Sequence, residues 1–218
     1  MISIITRCHN RLEYTIQVIN AVRDHSLNLL YEHIIIDNAS SDGTPEWFRW
    51  MQANTKCYPN LKYIRYNVNL GDWGGMVAGL KHISQLSKYV IQLDNDIIPC
   101  DGWLESMVYV LENTKYKIVM LKRANVEWKL KPLSPKQILL NSLEICKVER
   151  GVACFMASTE DFRMFGAKVK DPTKSKYEIR GFVHGQIAKI LNKTCIEIDG
   201  LEQRKKYSPK NPEVWAKL

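Results

Sequence analysis

His33–Glu46 reads HIIIDNASSDGTPE, and its three parts decide the fold class. His33 to Asp37 is a strand whose centre, Ile34 to Ile36, is continuously apolar, as a strand buried on both faces of a parallel sheet should be. Asn38 to Gly43 is a loop of turn-forming residues. Thr44-Pro45-Glu46 then opens a helix, with a capping hydroxyl, a proline in the first turn and an acid at the positive end of the helix dipole. Strand, loop, helix is the local unit.

The same unit recurs on both sides. Met1 to Thr6 is a β-rich run, and Leu12, Ile16, Ile19 and Val22 follow it at helical spacing. Leu61 to Tyr66 is a third strand, whose glycine-rich turn from Asn69 to Gly75 leads into a helix running to about Leu86. Tyr89 to Leu93 is a fourth strand, ending at Asp94-Asn95-Asp96. Asp101 is the expected cap of a helix whose apolar face is Leu104, Met107, Val108 and Leu111. Together these predict an α/β fold, a mostly parallel sheet flanked by helices with right-handed crossovers.

The second half is less regular. It predicts strands at Ile118–Leu121, Val152–Ala157 and Thr194–Ile198, and helices over Pro135–Leu143, from Thr159, and over Phe182–Leu191. No linker or repeat divides the chain, so residues 1–218 read as one domain. Residues 1–115 carry the regular units, 116–201 elaborate them, and 202–218 form a basic tail.

Composition narrows the function classes. A chain of 218 residues with 45% hydrophobic content needs no staple to hold its core and is not disordered. No apolar run approaches the roughly 20 residues of a membrane span. Arg7, His9 and Arg11 interrupt the N-terminal apolar stretch, so a signal peptide is not expected, and the reading is cytoplasmic. A net charge of +8, concentrated in clusters such as Lys129/Lys131, Lys168/Lys170, Lys174/Lys176 and Arg204/Lys205/Lys206, favours anionic partners. No nucleic-acid motif with its aromatics is present, and nucleic acid is not an expected partner. The cysteines are scattered without a Cys-x-x-Cys pair, which supports neither a zinc site nor a disulfide framework.

In an open parallel sheet the ligand sits beyond the carboxyl ends of the strands. Polar clusters fall at those ends: Arg7-Cys8-His9-Asn10, Asp37-Asn38, Asn67-Val68-Asn69 with Gly71, and Asp94-Asn95-Asp96. Any one alone is an ordinary turn; the group in register is not. With strand geometry at Asp94, Asp94 and Asp96 project to the same side. Paired carboxylates at that spacing repel unless a cation neutralises them, and oxygen ligands suit Mg²⁺ or Mn²⁺. Such a cation completes its shell with substrate phosphates and stabilises a departing diphosphate.

Over its first 115 residues the chain resembles family 2 glycosyltransferases, which have the Rossmann-like GT-A fold of nucleotide-diphospho-sugar transferases. The resemblance rests on Ile2-Ser3-Ile4-Ile5 with Asn10-Arg11, on Ile34-Ile35-Ile36-Asp37-Asn38-Ala39-Ser40-Ser41-Asp42-Gly43-Thr44, on Asn69-Leu70-Gly71, and on Leu93-Asp94-Asn95-Asp96 ahead of Trp103-Leu104. It implies that His9 stands where the family commonly has a tyrosine against the base. It implies further that Asp37 and Asn38 read the base edge and ribose, and that Asn69 and Gly71 line the floor. Asp94 would face the ribose or metal, and Asp96 would be the principal metal ligand. Where the family often carries a basic residue and an asparagine in the helix after the glycine turn, Met76 and Val77 stand here, and Arg7 is the nearest replacement for the charge.

Inverting members place a carboxylate base in the second half, often in a Glu-Asp pair before a helix. No such pair precedes Phe182, which leaves His184 narrowly ahead of Glu178 as the catalytic base. Glu160-Asp161 reads instead as the N-terminus of a helix. The expected function is metal-dependent, inverting transfer of a sugar from a nucleoside diphosphate sugar, a UDP-sugar favoured, to an acceptor hydroxyl on a glycan, lipid-linked or protein acceptor. Any membrane contact would be peripheral, at the inner face. The rival readings are a non-catalytic nucleotide-binding relative, which metal-dependent turnover would exclude, and a sugar-nucleotide pyrophosphorylase. The turn Thr6-Arg7-Cys8-His9-Asn10-Arg11 lacks the glycine such a pyrophosphorylase needs.

Overall fold

The computed structural model describes residues 1–26, 28–53, 55–124, 137–138, 142–148, 154–167 and 187–197. In chain order the elements are β1 (Ile2–Cys8), α1 (Leu12–Asp24), β2 (Tyr31–Asn38), α2 (Thr44–Ala53), β3 (Leu61–Tyr66), α3 (Gly71–Leu80), β4 (Tyr89–Asp94), β5 (Ile97–Pro99), α4 (Trp103–Asn113), β6 (Ile118–Arg123), β7 (Gln137–Ile138), β8 (Glu144–Val148), β9 (Cys154–Ser158), α5 (Thr159–Ala167) and β10 (Ile187–Glu197). All the strands join one ten-stranded sheet in the order β3-β2-β1-β4-β9-β6-β10-β8-β7, with β5 paired to β10. The strands β3, β2, β1 and β4 are parallel, as the repeated unit predicts. Beyond them the sheet is mixed: β9 runs antiparallel to both β4 and β6, while β10 is parallel to β6 and antiparallel to β8.

Alternation along the central strands distributes apolar side chains to two faces. Ile4, Ile91 and Leu93 pack with Val18 and Val22 of α1 and with Trp103, Leu104, Met107 and Val110 of α4. Ile5, Ile34, Ile36 and Val90 face the other way, onto Met76 of α3 and Phe162 of α5. Ile35 joins Ile19 of α1 and Phe48 and Met51 of α2. Both faces being covered explains why Ile34–Ile36, at the centre of β2, is apolar at consecutive positions rather than alternating. The glycines of α3 bring that helix close to the sheet: a Cβ at Gly79 would lie 2.5 Å from Ile5 Cγ2.

Several local expectations are corrected. Ile187–Leu191 is not helical but part of β10, because Ala188 and Ile190 are fully buried and the segment pairs with β6 on one side and β8 on the other. Sheet pairing on both flanks overrides a helix-like spacing. Within Pro135–Leu143, Gln137–Ile138 is a strand paired to β8 rather than a helix. The helix expected to reach Leu86 stops at Leu80. Gly102, with φ 67°, takes the N-cap position of α4. The Asp101 carboxylate meets the His25 imidazole instead of capping that helix. Ser158 caps α5, its hydroxyl accepting from the Asp161 N–H at 3.1 Å and donating to Asp161 Oδ2 at 2.8 Å. Glu160-Asp161 is therefore a helix N-terminus, as the sequence reads. The basic clusters beyond Arg123 and the tail lie outside the described residues.

Candidate donor site

Parallel running of β1, β2, β3 and β4 brings their carboxyl ends to one edge, and the two turns after β1 and β2 are braced against each other there. Asn10 Oδ1 accepts from the Ser41 N–H at 2.7 Å and the Asp42 N–H at 3.3 Å, while the Asn10 N–H donates to Ser40 Oγ at 2.8 Å. Asp42 Oδ2 returns the contact by accepting from the Leu12 N–H at 3.1 Å. Asn10, Arg11 and Ala39 all have left-handed backbones, with φ of 57°, 65° and 61°. A cluster of non-glycine residues in that region is costly and marks a segment fixed by its surroundings. The brace presents His9, whose Nδ1–H donates to the Asn38 carbonyl at 2.7 Å.

Asp37 is fully buried. Its Oδ1 accepts from the Ser40 N–H at 2.8 Å, and its Oδ2 from Tyr63 Oη at 2.5 Å and Arg65 Nη1 at 2.7 Å. Burial, with Asp37 beside it, pushes the Tyr63 phenol far up. Burial pushes the Cys8 thiol up as well, with Asp37 and Asp42 adding to the effect. Arg65, itself partly exposed, is the member of this set that reaches the surface.

The floor is made by α3. Gly71 has φ 70°, a conformation that favours glycine, and its N–H donates to Asn69 Oδ1 at 2.8 Å. The Gly71 carbonyl accepts from Asn38 Nδ2 at 3.2 Å, which ties β2 to the start of α3. Arg7 lies in the slot between α3 and β4. It stands directly opposite Asp94 in the parallel register, its Nη2 2.5 Å from Asp94 Oδ1 and its Nη1 2.5 Å from the Asp72 carbonyl oxygen. A Cβ at Gly75 would fall 3.1 Å from Arg7 Cγ and 2.9 Å from Asn38 Nδ2, so the absence of a side chain there is what opens the slot.

Asp94 ends β4 and Asp96 follows in the turn before β5. Arg11 Nη2 lies 3.4 Å from Asp96 Oδ2, and Asn95 Nδ2 donates to Thr15 Oγ1 at 3.1 Å, which anchors the turn to α1. Burial raises the Asp94 carboxyl above the usual carboxylate range; Arg7 pulls it down, while Asp96 and Asp72 push it up. The carboxylates thus feel one another. Among the described residues no three His, Cys, Asp or Glu side chains close a metal cage. A hard divalent ion needs only one or two carboxylates when substrate phosphates complete its shell, and Asp94 and Asp96, paired here with Arg7 and Arg11, are two carboxylates at this edge. The residues fit such an ion.

The structure brings Arg7, His9, Asn38, Asn69, Gly71, Asp94 and Asp96 to this edge, with Asp37 beneath. His184 and Glu178 lie outside the described residues. Sequence reasoning placed Asn10 in a strand-end cluster but gave no role to Asp42, Arg65, Asp72 or Gly75. A cavity of about 310 Å³ lined by Ile19, Arg23, His33 and Tyr58 lies toward the amino ends of β2 and β3, away from these groups.

Residues 3–169 match the sequence profile of Glycosyl transferase family 2. The chain belongs to that family. It is similar to "Glycosyltransferase AglE" of Haloferax volcanii, 29% identical over 119 residues, which is 54% of this chain and 38% of that one. The fold is GT-A. Structures it resembles include "GalNAc-T7 with UDP, GalNAc and Mn2+", with TM-score 0.74 and 15% identity over 93% of this chain and 44% of the other. Another is "Mannosyltransferase PcManGT from Pyrobaculum calidifontis in complex with GDP-Man and Mn2+", with TM-score 0.66 and 14% identity over 99% and 63%. The chain spans well under two thirds of the curated relative's length. Among the described residues no helix is long and apolar enough to cross a membrane.

Proposed function

We propose that this chain transfers a sugar from a nucleoside diphosphate sugar to an acceptor hydroxyl, with inversion and with Mn²⁺ or Mg²⁺ held at Asp94 and Asp96. The observation that carries this is the placement of Asp94, bonded to Arg7, and of Asp96, bonded to Arg11, at the carboxyl edge of β1 and β4, beside the Asn38–Gly71 floor. Family membership and the donors and Mn²⁺ named for the structural relatives support the same reading.

When bound, the divalent ion would supply positive charge against the leaving diphosphate. The chain's own residues do the rest. His9, held by the Asn38 carbonyl, offers a flat ring for a base to stack on. Asn38 contributes an amide whose Oδ1 is buried without a hydrogen-bond partner, an acceptor suited to a ribose hydroxyl. Asp37 acts from beneath: its buried charge fixes Tyr63 and Arg65, and Arg65 carries that order to the surface. Gly71 and Gly75 let the backbone of α3 come close to the nucleotide.

The acceptor's proton is assigned on sequence to His184 or Glu178, and the basic second half suits an anionic acceptor such as a lipid phosphate or acidic glycan. UDP release is measured from UDP-sugars with Mn²⁺ across such acceptors. Turnover that Asp96→Ala abolishes supports the reading, whereas nucleotide binding without turnover on any acceptor favours a non-catalytic relative. A loss of rate above neutral pH in Glu178→Gln but not in His184→Ala would make Glu178 the base.

A further inference from the structure

We propose that Arg7 and the divalent ion compete for Asp94, and that the displaced Arg7 carries its charge to the donor's diphosphate. The inference deepens the functional reading above and rests on it. Arg7 and Asp94 are cross-strand partners in the β1–β4 register, so their ion pair is built into the sheet rather than formed by chance at the surface. The guanidinium spends one N–H on Asp94 and one on the Asp72 carbonyl, and its Nε–H is buried with no hydrogen-bond partner. A buried donor left unspent is costly unless an acceptor arrives to use it. Asn38 Oδ1 is a second unpartnered atom, on an amide that is 4% exposed, and Gly75 lies against both side chains. The slot at Gly75 is therefore bordered by two side chains that each carry an unspent buried atom, a donor on Arg7 and an acceptor on Asn38.

The ligand chemistry that answers both is a phosphate beside a hydroxyl-bearing sugar. Residues 71–80, which form the opposite wall, contain no lysine, arginine or histidine, so that wall offers no rival to Arg7; Arg11, at the same edge, is paired with Asp96. A planar guanidinium suits bidentate contact with phosphate oxygens. A divalent ion on Asp94 would repel the guanidinium that stands 2.5 Å from its Oδ1, so filling the carboxylate with the ion drives the two cations apart. Filling Asp94 with the ion frees the guanidinium at the place where the diphosphate arrives.

The test is calorimetric titration of MnCl₂ alone, of UDP in EDTA, and of UDP with saturating Mn²⁺, into wild type, Arg7→Met and Asp94→Asn. Far-ultraviolet circular dichroism checks that each variant is folded. Arg7→Met should bind Mn²⁺ alone about tenfold more tightly, because a competitor is gone, and UDP with Mn²⁺ roughly ten- to a hundredfold more weakly, because a charge-assisted contact is gone. Asp94→Asn should bind UDP in EDTA several-fold more tightly than wild type, since its Arg7 is already released. An Arg7 that merely holds the fold would leave Mn²⁺ affinity unchanged or lower it in Arg7→Met, and would give Asp94→Asn no gain; either result overturns the proposal. Wild-type protein that takes neither Mn²⁺ nor UDP overturns the functional reading and this proposal with it. Normal wild-type binding with unchanged variants overturns the proposal alone.

Discussion

Gly75→Ala separates the donor floor from the fold. An added Cβ would stand 2.9 Å from Asn38 Nδ2, too close to stay, and 3.1 and 3.2 Å from Arg7 Cγ and Cδ, tight enough that the Arg7 stem must give by a few tenths of an ångström. Alanine gains about 1 kcal/mol over glycine in a helix interior. Overpacking costs about 1–3 kcal/mol. The net change in stability is then between about 0 and 2 kcal/mol of loss, or at most several degrees in melting temperature for a chain of this size. The effect on the site should be larger. Asn38 is buried, so turning its amide away breaks the 3.2 Å bond to the Gly71 carbonyl and moves the Arg7 stem with it. Losing one or two such contacts to a ligand corresponds to roughly a tenfold fall in affinity. Gly79→Ala is the control, because its Cβ would strike Ile5 Cγ2 at 2.5 Å and Ile36 Cγ1 at 3.3 Å without touching a site residue. Calorimetry with UDP and Mn²⁺, beside thermal melts, should show Gly75→Ala weak in binding and near normal in stability, and Gly79→Ala the reverse. Wild-type affinity in Gly75→Ala, or an equal loss in both variants, would refute the reasoning.

Asn10→Ala removes the acceptor of the Ser41 and Asp42 amides and places alanine in a left-handed conformation; a loss of about 2–4 kcal/mol is expected in urea unfolding, and a loss under about 0.5 kcal/mol would show that the turns are not braced there. Arg65→Leu strips the buried Asp37 of its cation and should cost about 2–3 kcal/mol, discounted for the partial exposure of Arg65; restoration of stability by Asp37→Asn in the same chain checks the cause. Burial pushes the His33 imidazole down to about 3. The unfolded chain, titrating near 6.5, then binds more protons than the native state between those values, so this contribution is intact above pH 6.5 and is lost as pH falls toward 3. Urea midpoints should report about 2 kcal/mol less stability at pH 5 than at pH 7 from this group, and a His33→Gln variant that shows the same pH slope as wild type would assign the effect elsewhere.

The parallel half of the sheet was legible because β1, β2 and β3 each lead to a helix before the next strand, so the pattern is local. His33–Asp37 shows two-sided burial in its composition alone, and Thr44-Pro45-Glu46 marks the next helix within three residues. The second half depends on partners distant in sequence. Ile187–Leu191 carries a spacing that a helix could use, and only its flanking by β6 and β8 makes it a strand. The insertion of β9 between β4 and β6 likewise has no local signature. At the site, the residue types at the strand ends were readable, but their connections were not. Opposition of Arg7 to Asp94 follows from strand register, and the brace between Asn10 and Asp42 follows from two turns meeting across the sheet edge. Gly75 reads as turn composition until the slot it leaves for Arg7 is seen.

The central claim is a donor site that joins a nucleoside diphosphate and a divalent ion at Asp94 and Asp96. Thermal melts with UDP, GDP, CDP and dTDP, each with and without Mn²⁺, in wild type and Asp96→Ala, test it most directly. The account predicts a stabilising shift for one nucleotide that requires Mn²⁺, grows with the logarithm of ligand excess and disappears in Asp96→Ala. Well-folded protein that shows no shift with any nucleotide, or a shift that Mn²⁺ and Asp96→Ala leave untouched, would contradict it.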